Sequence, residues 1–125
     1  MSGPKRILIA DDEEMVRSLV RRMLGKTYRV LEADNGEEAV KVAVNQKPDL
    51  ILMDILMPKM DGLTACYAIK RNQATKAIPI IMLTAVDYDL NRKLSQVVMG
   101  AEGYITKPFE SQALIKMIAK FTSPN

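Results

Sequence analysis

Asp49-Leu50-Ile51-Leu52-Met53-Asp54 is the stretch that decides the fold. Four apolar residues in a row, closed by a carboxylate, describe a strand covered on both faces; a half-exposed strand would alternate polar and apolar positions. Moving outward, the signature repeats. Ile7-Leu8-Ile9-Ala10 runs into Asp11-Asp12, Ile80-Ile81-Met82-Leu83 runs into Thr84, and the shorter Tyr104-Ile105-Thr106 runs into Lys107-Pro108.

Helical patterns separate these runs. Glu13 to Leu24 sets Val16, Leu19, Val20, Met23 and Leu24 on one face, with Gly25 placed to end the helix. Thr27 to Ala33 reads as a second strand, roughened by Arg29 and Glu32, and Gly36 to Gln46 as a helix stopped before Pro48. A loop with Pro58 and Gly62 leads into a helix over Leu63 to Asn72. Leu90, Leu94, Val97 and Val98 mark a fourth helix ending near Gly100, and Leu114, Ile115, Ile118 and Phe121 mark a fifth.

Strict alternation predicts an α/β protein: a doubly wound, flavodoxin-like (βα)5 domain with a five-stranded parallel sheet and right-handed crossovers. Strands one, three and four are apolar throughout and belong in the middle; strands two and five are mixed or short and belong at the edges. The order 2-1-3-4-5 satisfies both. It sets strands one and three side by side, so Asp11, Asp12 and Asp54 converge at the carboxyl ends where such sheets bind ligands.

Composition bounds the chemistry. The 125 residues suit one domain, taken here as 1–125, and 48% hydrophobic with 26% charged residues is a globular balance. Histidine is absent, which removes the commonest general base and zinc ligand. The single Cys66 excludes an internal disulfide and reads as a buried apolar thiol. The nine methionines read as core filler rather than a binding surface. No apolar stretch approaches a membrane span or a signal-peptide core, so a cytoplasmic protein without membrane attachment is expected. Net charge is +3, with 10 basic and 11 acidic side chains in residues 1–62 against 8 and 4 in residues 63–125. No basic run or aromatic platform accompanies that charge, so direct nucleic-acid binding is not expected.

Three carboxylates brought together repel one another unless a cation compensates. An all-oxygen set favours a hard metal such as Mg²⁺ or Ca²⁺ over zinc. Aspartate is also a competent nucleophile for phosphoryl groups, and a lysine ammonium and a threonine hydroxyl can hold the remaining phosphoryl oxygens.

In combination, Asp11-Asp12-Glu13, Asp54-Ile55-Leu56-Met57-Pro58-Lys59-Met60-Asp61-Gly62, Thr84-Ala85 and Gly103-Tyr104-Ile105-Thr106-Lys107-Pro108-Phe109 resemble the receiver domains of two-component response regulators, from Lys5 to about Phe121. The resemblance implies a phosphorylation-activated signalling switch. Asp54 would accept a phosphoryl group from a sensor histidine kinase or phosphotransfer protein, and the domain would catalyse only its own phosphorylation and dephosphorylation. Asp12 and Asp54 would ligate Mg²⁺ directly, Asp11 through a water, and Leu56 through its backbone carbonyl, with Mn²⁺ or Ca²⁺ able to substitute. Thr84 and Lys107 would hold phosphoryl oxygens. Tyr104 would follow the movement of Thr84, and the Lys107-Pro108 bond would be cis.

Output is then expected through the fourth helix, fifth strand and fifth helix, whose Arg92, Lys93, Lys116 and Lys120 suit an acidic partner. The output is a separate protein or a domain outside this chain, and the receiver is a monomer or a phosphorylation-dependent dimer. Two apolar residues beside the site, Leu56 and Val86, imply a long-lived phosphorylated form.

Three other readings compete. A haloacid-dehalogenase-type phosphohydrolase also uses Asp, Thr, Lys and Mg²⁺, but places its nucleophile after the first strand in an Asp-x-Asp pattern. Here Leu56 stands where that second Asp would be. A flavodoxin-like cofactor site needs a phosphate-cradling turn after strand one, which Asp11-Asp12-Glu13-Glu14 would repel. A degenerate receiver acting only in docking would lack a site residue, and none is missing.

Overall fold

The computed structural model describes residues 3–84 and 100–122. The described strands are β1 (Arg6–Ala10), β2 (Arg29–Ala33), β3 (Leu50–Asp54), β4 (Ile80–Thr84) and β5 (Gly103–Thr106). They form one sheet in the order β2-β1-β3-β4-β5, every neighbouring pair parallel. Helices α1 (Glu14–Leu24), α2 (Gly36–Gln46), α3 (Gly62–Arg71) and α4 (Ser111–Thr122) cover it. The helix expected around Leu90 to Val98 lies outside the described residues, as do Val86, Arg92 and Lys93.

Alternation along the strands divides the core in two. Ile7, Ile9, Leu50, Leu52, Ile81 and Leu83 pack with Val20 and Leu24 of α1 and Leu114 and Ile118 of α4. Leu8, Ala10, Ile51, Met53, Ile80 and Met82 face Ala39, Ala43, Ala65 and Ile69 of α2 and α3. The alanines let those two helices approach the sheet closely. Each large aliphatic side chain so buried contributes roughly 1.5–3 kcal/mol. With strands β1, β3 and β4 apolar on both faces, polar chemistry is left to the sheet's carboxyl edge.

Local signals set the ends of the elements. Asn35 caps α2 by accepting from the Glu38 amide at 2.9 Å, and Asp61 caps α3 by accepting from Thr64 at 2.8 Å. Gly25 ends α1 at φ 55°, donating to the Arg21 carbonyl. At the end of α2 a lysine, Lys47, takes the left-handed conformation at φ 46° that usually falls to glycine.

Two expectations need correction. Strand two starts at Arg29 and not at Thr27, because the Thr27 amide turns back to the Leu24 carbonyl and closes α1. Leu19 and Ile115, read as core-facing, are 39% and 36% exposed. On the same helices Val20, Leu24, Leu114 and Ile118 reach the core, so the apolar stripe is wider than the surface it covers. Cys66 is buried, as expected, and burial pushes its thiol up to about 12. No helix among the described residues is long and apolar enough to cross a membrane.

Candidate functional site

Strand register assembles the site. Ala10 pairs with Met53, so the residues one step further along, Asp11 and Asp54, leave adjacent strands at the same level. Thr84 pairs with Thr106, which puts Lys107 one step past the sheet beside Thr84. The Lys107 amide donates to the Thr84 carbonyl at 2.6 Å and continues the ladder beyond β5. The Lys107–Pro108 bond is cis, as the resemblance implied.

Asp11, Asp12 and Asp54 each offer a carboxylate oxygen within 4.8 Å of the others. Asp11 is fully buried and Asp54 nearly so, while Asp12 is exposed. Asp11 is held through both oxygens: Oδ1 accepts from the Glu13 amide at 2.9 Å and Oδ2 from Lys107 Nζ at 2.7 Å. The same ammonium lies 3.4 Å from Asp54 Oδ1 and 3.7 Å from Glu13 Oε1. One cation thus serves several carboxylates.

The imbalance appears in the protonation equilibria. Burial first, then the Asp11 charge, pushes the Asp54 carboxyl up to about 6, with Lys107 pulling against both. Burial works against the Lys107 charge, but its hydrogen bond to Asp11 and the nearby Asp54 hold its pKa above the ordinary lysine value. An all-oxygen donor set with surplus negative charge, partly desolvated, fits a hard divalent cation.

The loop after β3 is fixed by close backbone approaches. Gly62 donates to the Ile55 carbonyl at 2.7 Å, and a Cβ at Gly62 would collide with the Asp54 carbonyl. Met60 accepts from the Gly36 amide at 2.9 Å, and Gly36 likewise has no room for a Cβ. Lys59, just before Met60, sits at φ 68°. Leu56, whose backbone carbonyl was expected at the metal, is 78% exposed, two residues past Asp54.

Thr84 is buried at the end of β4. Tyr104 is also buried and packs into the core cluster that holds Met82 and Ile80, on the α2 and α3 side of the sheet. Sequence reasoning quoted Glu13 in the opening motif without giving it a role, and passed over Arg17. Glu13 supplies the amide on Asp11 and a carboxylate near Lys107. Arg17, inside the start of α1, donates Nη1 to the Asp11 backbone carbonyl at 2.8 Å. Its only signal in the sequence was a lone cation amid the acidic opening of that helix.

Comparison with known proteins adds independent findings. A family model described as the response regulator receiver domain matches residues 7–119. The alkaline phosphatase synthesis transcriptional regulatory protein PhoP of Bacillus subtilis is 40% identical over 120 residues, covering 93% of this chain and 49% of that protein. The chemotaxis protein CheY of Halobacterium salinarum is 40% identical over 116 residues, 92% of this chain and 94% of that protein. The chain thus spans about half the length of some curated relatives it matches and nearly all of others. Among solved structures, the receiver domain of a sensor histidine kinase from Pseudomonas aeruginosa PAO1, with a magnesium ion coordinated in its active-site cleft, superposes with a TM-score of 0.88. It is 30% identical and covers 96% of this chain and 98% of that one.

Proposed function

Because this chain belongs to the response regulator receiver family of two-component signalling, matched over residues 7–119, we propose that it is a phosphorylation-activated switch whose phosphoacceptor is Asp54. One observation carries the reading: Asp11, Asp12 and Asp54 offer oxygens within 4.8 Å of one another, with Lys107 Nζ at 2.7 Å from Asp11 and 3.4 Å from Asp54. Residues 1–125 form one phosphoacceptor domain in this reading.

Asp11, Asp12, Asp54 and the Leu56 carbonyl would hold Mg²⁺, with Mn²⁺ or Ca²⁺ able to take its place. When bound, the cation offsets the carboxylate repulsion and the charge of an incoming phosphoryl group. The chain's own residues supply the rest. Asp54 presents a carboxylate oxygen to phosphorus at the open carboxyl edge of β3, displacing the donor's leaving group. Lys107 is already within reach of Asp54 and takes up a phosphoryl oxygen by charge-assisted hydrogen bonding. Thr84, at the end of the neighbouring strand, offers a hydroxyl to another. Movement of Thr84 toward that oxygen would couple the site to Tyr104 on β5 and so to the output face.

The donor would be a sensor histidine kinase or phosphotransfer protein. The recipient of the signal would be an output protein or an attached output domain, reached by the monomer or a phosphorylation-dependent dimer. Lys116 and Lys120, exposed on α4, favour an acidic recipient.

Incubation with acetyl phosphate and Mg²⁺ should add one phosphate by intact-mass analysis. Equal incorporation in EDTA, or into Asp54→Asn, would reject the assignment. The phosphorylated form should also be slow to hydrolyse, because Leu56 offers no polar group to orient an attacking water. Leu56→Asn should accelerate phosphate loss by several-fold. An unchanged rate would mean that this position does not control water.

A further inference from the structure

The Arg17 guanidinium is divided among three parts of the fold. Nη1 donates to the Asp11 carbonyl at 2.8 Å, Nε to Glu32 on β2 at 3.0 Å, and Nη2 to Glu14 at the start of α1 at 2.7 Å. Arg21 reinforces the same two carboxylates at 2.6 Å and 3.2 Å. Ion pairs this near the surface each contribute only about 0–1 kcal/mol, so stability alone is a weak account of them. The bond to Asp11 differs in kind. It ends on the β1–α1 turn, from which two of the three clustered carboxylates project.

That turn is held at few points. The Asp11 amide donates to Ala33 at 3.0 Å, and the Asp11 side chain is fixed by Glu13 and Lys107. Asp12 follows directly and is exposed. The peptide linking Asp11 to Asp12 takes its orientation from the Asp11 carbonyl, and Arg17 grips that carbonyl with an arm braced on both the edge strand and the helix.

We propose that Arg17 is a positioning residue for the divalent cation, acting through the Asp11 carbonyl to aim the Asp11–Asp12 pair. The proposal rests on reading the carboxylate cluster as the Mg²⁺ site. Charge and geometry make opposite forecasts, which makes it testable. A cation beside an acidic site opposes a second cation, so on charge alone losing Arg17 should tighten Mg²⁺ binding. A planar fork that sets backbone geometry should weaken binding when lost, even where the charge is kept. Lysine keeps the charge and loses the fork.

The test titrates the full chain with Mg²⁺ alone by calorimetry, comparing wild type, Arg17→Lys, Arg17→Gln and Asp54→Asn. Urea unfolding in EDTA is followed alongside, with the ¹³C shift of the Asp11 carbonyl in metal-free protein. Arg17→Lys and Arg17→Gln should each weaken Mg²⁺ binding about tenfold, the low end for losing a residue that orients a metal ligand, and move the Asp11 carbonyl resonance. Wild-type affinity in Arg17→Lys, or tighter binding in Arg17→Gln, while Asp54→Asn has lost the metal, overturns the positioning role and leaves the site reading intact. Failure of the wild type to bind Mg²⁺ overturns both. Should the Arg17 variants fold poorly, Glu32→Gln loosens the brace without altering a residue of β1 or α1. An unmoved Asp11 resonance in that variant also overturns the proposal.

Discussion

Replacing Asp54 with asparagine is expected to stabilise the protein in EDTA near neutral pH by about 2 kcal/mol, although it removes the residue on which the proposed chemistry depends. The cause is the raised carboxyl: burial and Asp11 push Asp54 up to about 6 in the folded chain, from 3.8. A group whose pKa is higher when folded favours folding below its unfolded pKa, and that contribution is lost as pH rises through the folded value. The penalty for ionised Asp54 therefore grows between about pH 4 and pH 6 and is complete at pH 7. A rise of that size, already net of the attraction to Lys107, corresponds to about 3 kcal/mol, and burying the amide that replaces the carboxyl takes part of it back. Urea unfolding of wild type and Asp54→Asn across pH 4 to 7 in EDTA reads this directly. The gap should close toward pH 4, and saturating Mg²⁺ should narrow it at pH 7 by stabilising the wild type. A gap that ignores pH would mean that the site is better solvated than its burial implies.

Lys107→Met should move stability the opposite way, costing about 3 kcal/mol in EDTA at pH 7, within the range for breaking a buried ion pair from one side. Asp11 is fully buried and holds the lysine at 2.7 Å; Asp54 lies 3.4 Å from the same nitrogen. Methionine keeps most of the aliphatic stem, so the loss is chiefly electrostatic. It follows that the cost should shrink in acid, where protonated Asp54 no longer needs the ammonium, and shrink again when Mg²⁺ supplies charge in its place. Equal destabilisation at pH 4 and pH 7 would assign the effect to packing. Those two outcomes together would mark a site whose charges are arranged for binding rather than for the stability of the empty fold.

Most of this architecture was legible in the chain because the three central strands are covered on both faces, which forces them to be apolar at every position. Strand order followed from which runs were mixed, and Arg29 and Glu32 are indeed exposed on edge strand β2. Convergence of Asp11, Asp12 and Asp54 followed from that order, since β1 and β3 are neighbours; Lys107 leaves β5 at the far edge and reaches Asp11 and Asp54 through its long side chain. Legibility failed where a side chain's fate depends on what lies opposite. Periodicity put Leu19 on the apolar face of α1 but could not show that the face overhangs its support. The parts played by Glu13 and Arg17 escaped notice because each reaches Asp11 through a backbone group, to which no residue pattern points. The positive φ at Lys59 was equally hidden, since lysine carries no signal for that conformation.

The buried thiol has a practical consequence. Cys66 is the sole cysteine, on the buried face of α3, with its ionisation pushed up to about 12. Alkylating reagents attack the thiolate and need access to it, and here both are withheld. A cysteine introduced on the surface would thus be the single reactive sulfur in a folded molecule. Fluorophores or spin probes can be attached at chosen points without first deleting the native residue and disturbing the core around it.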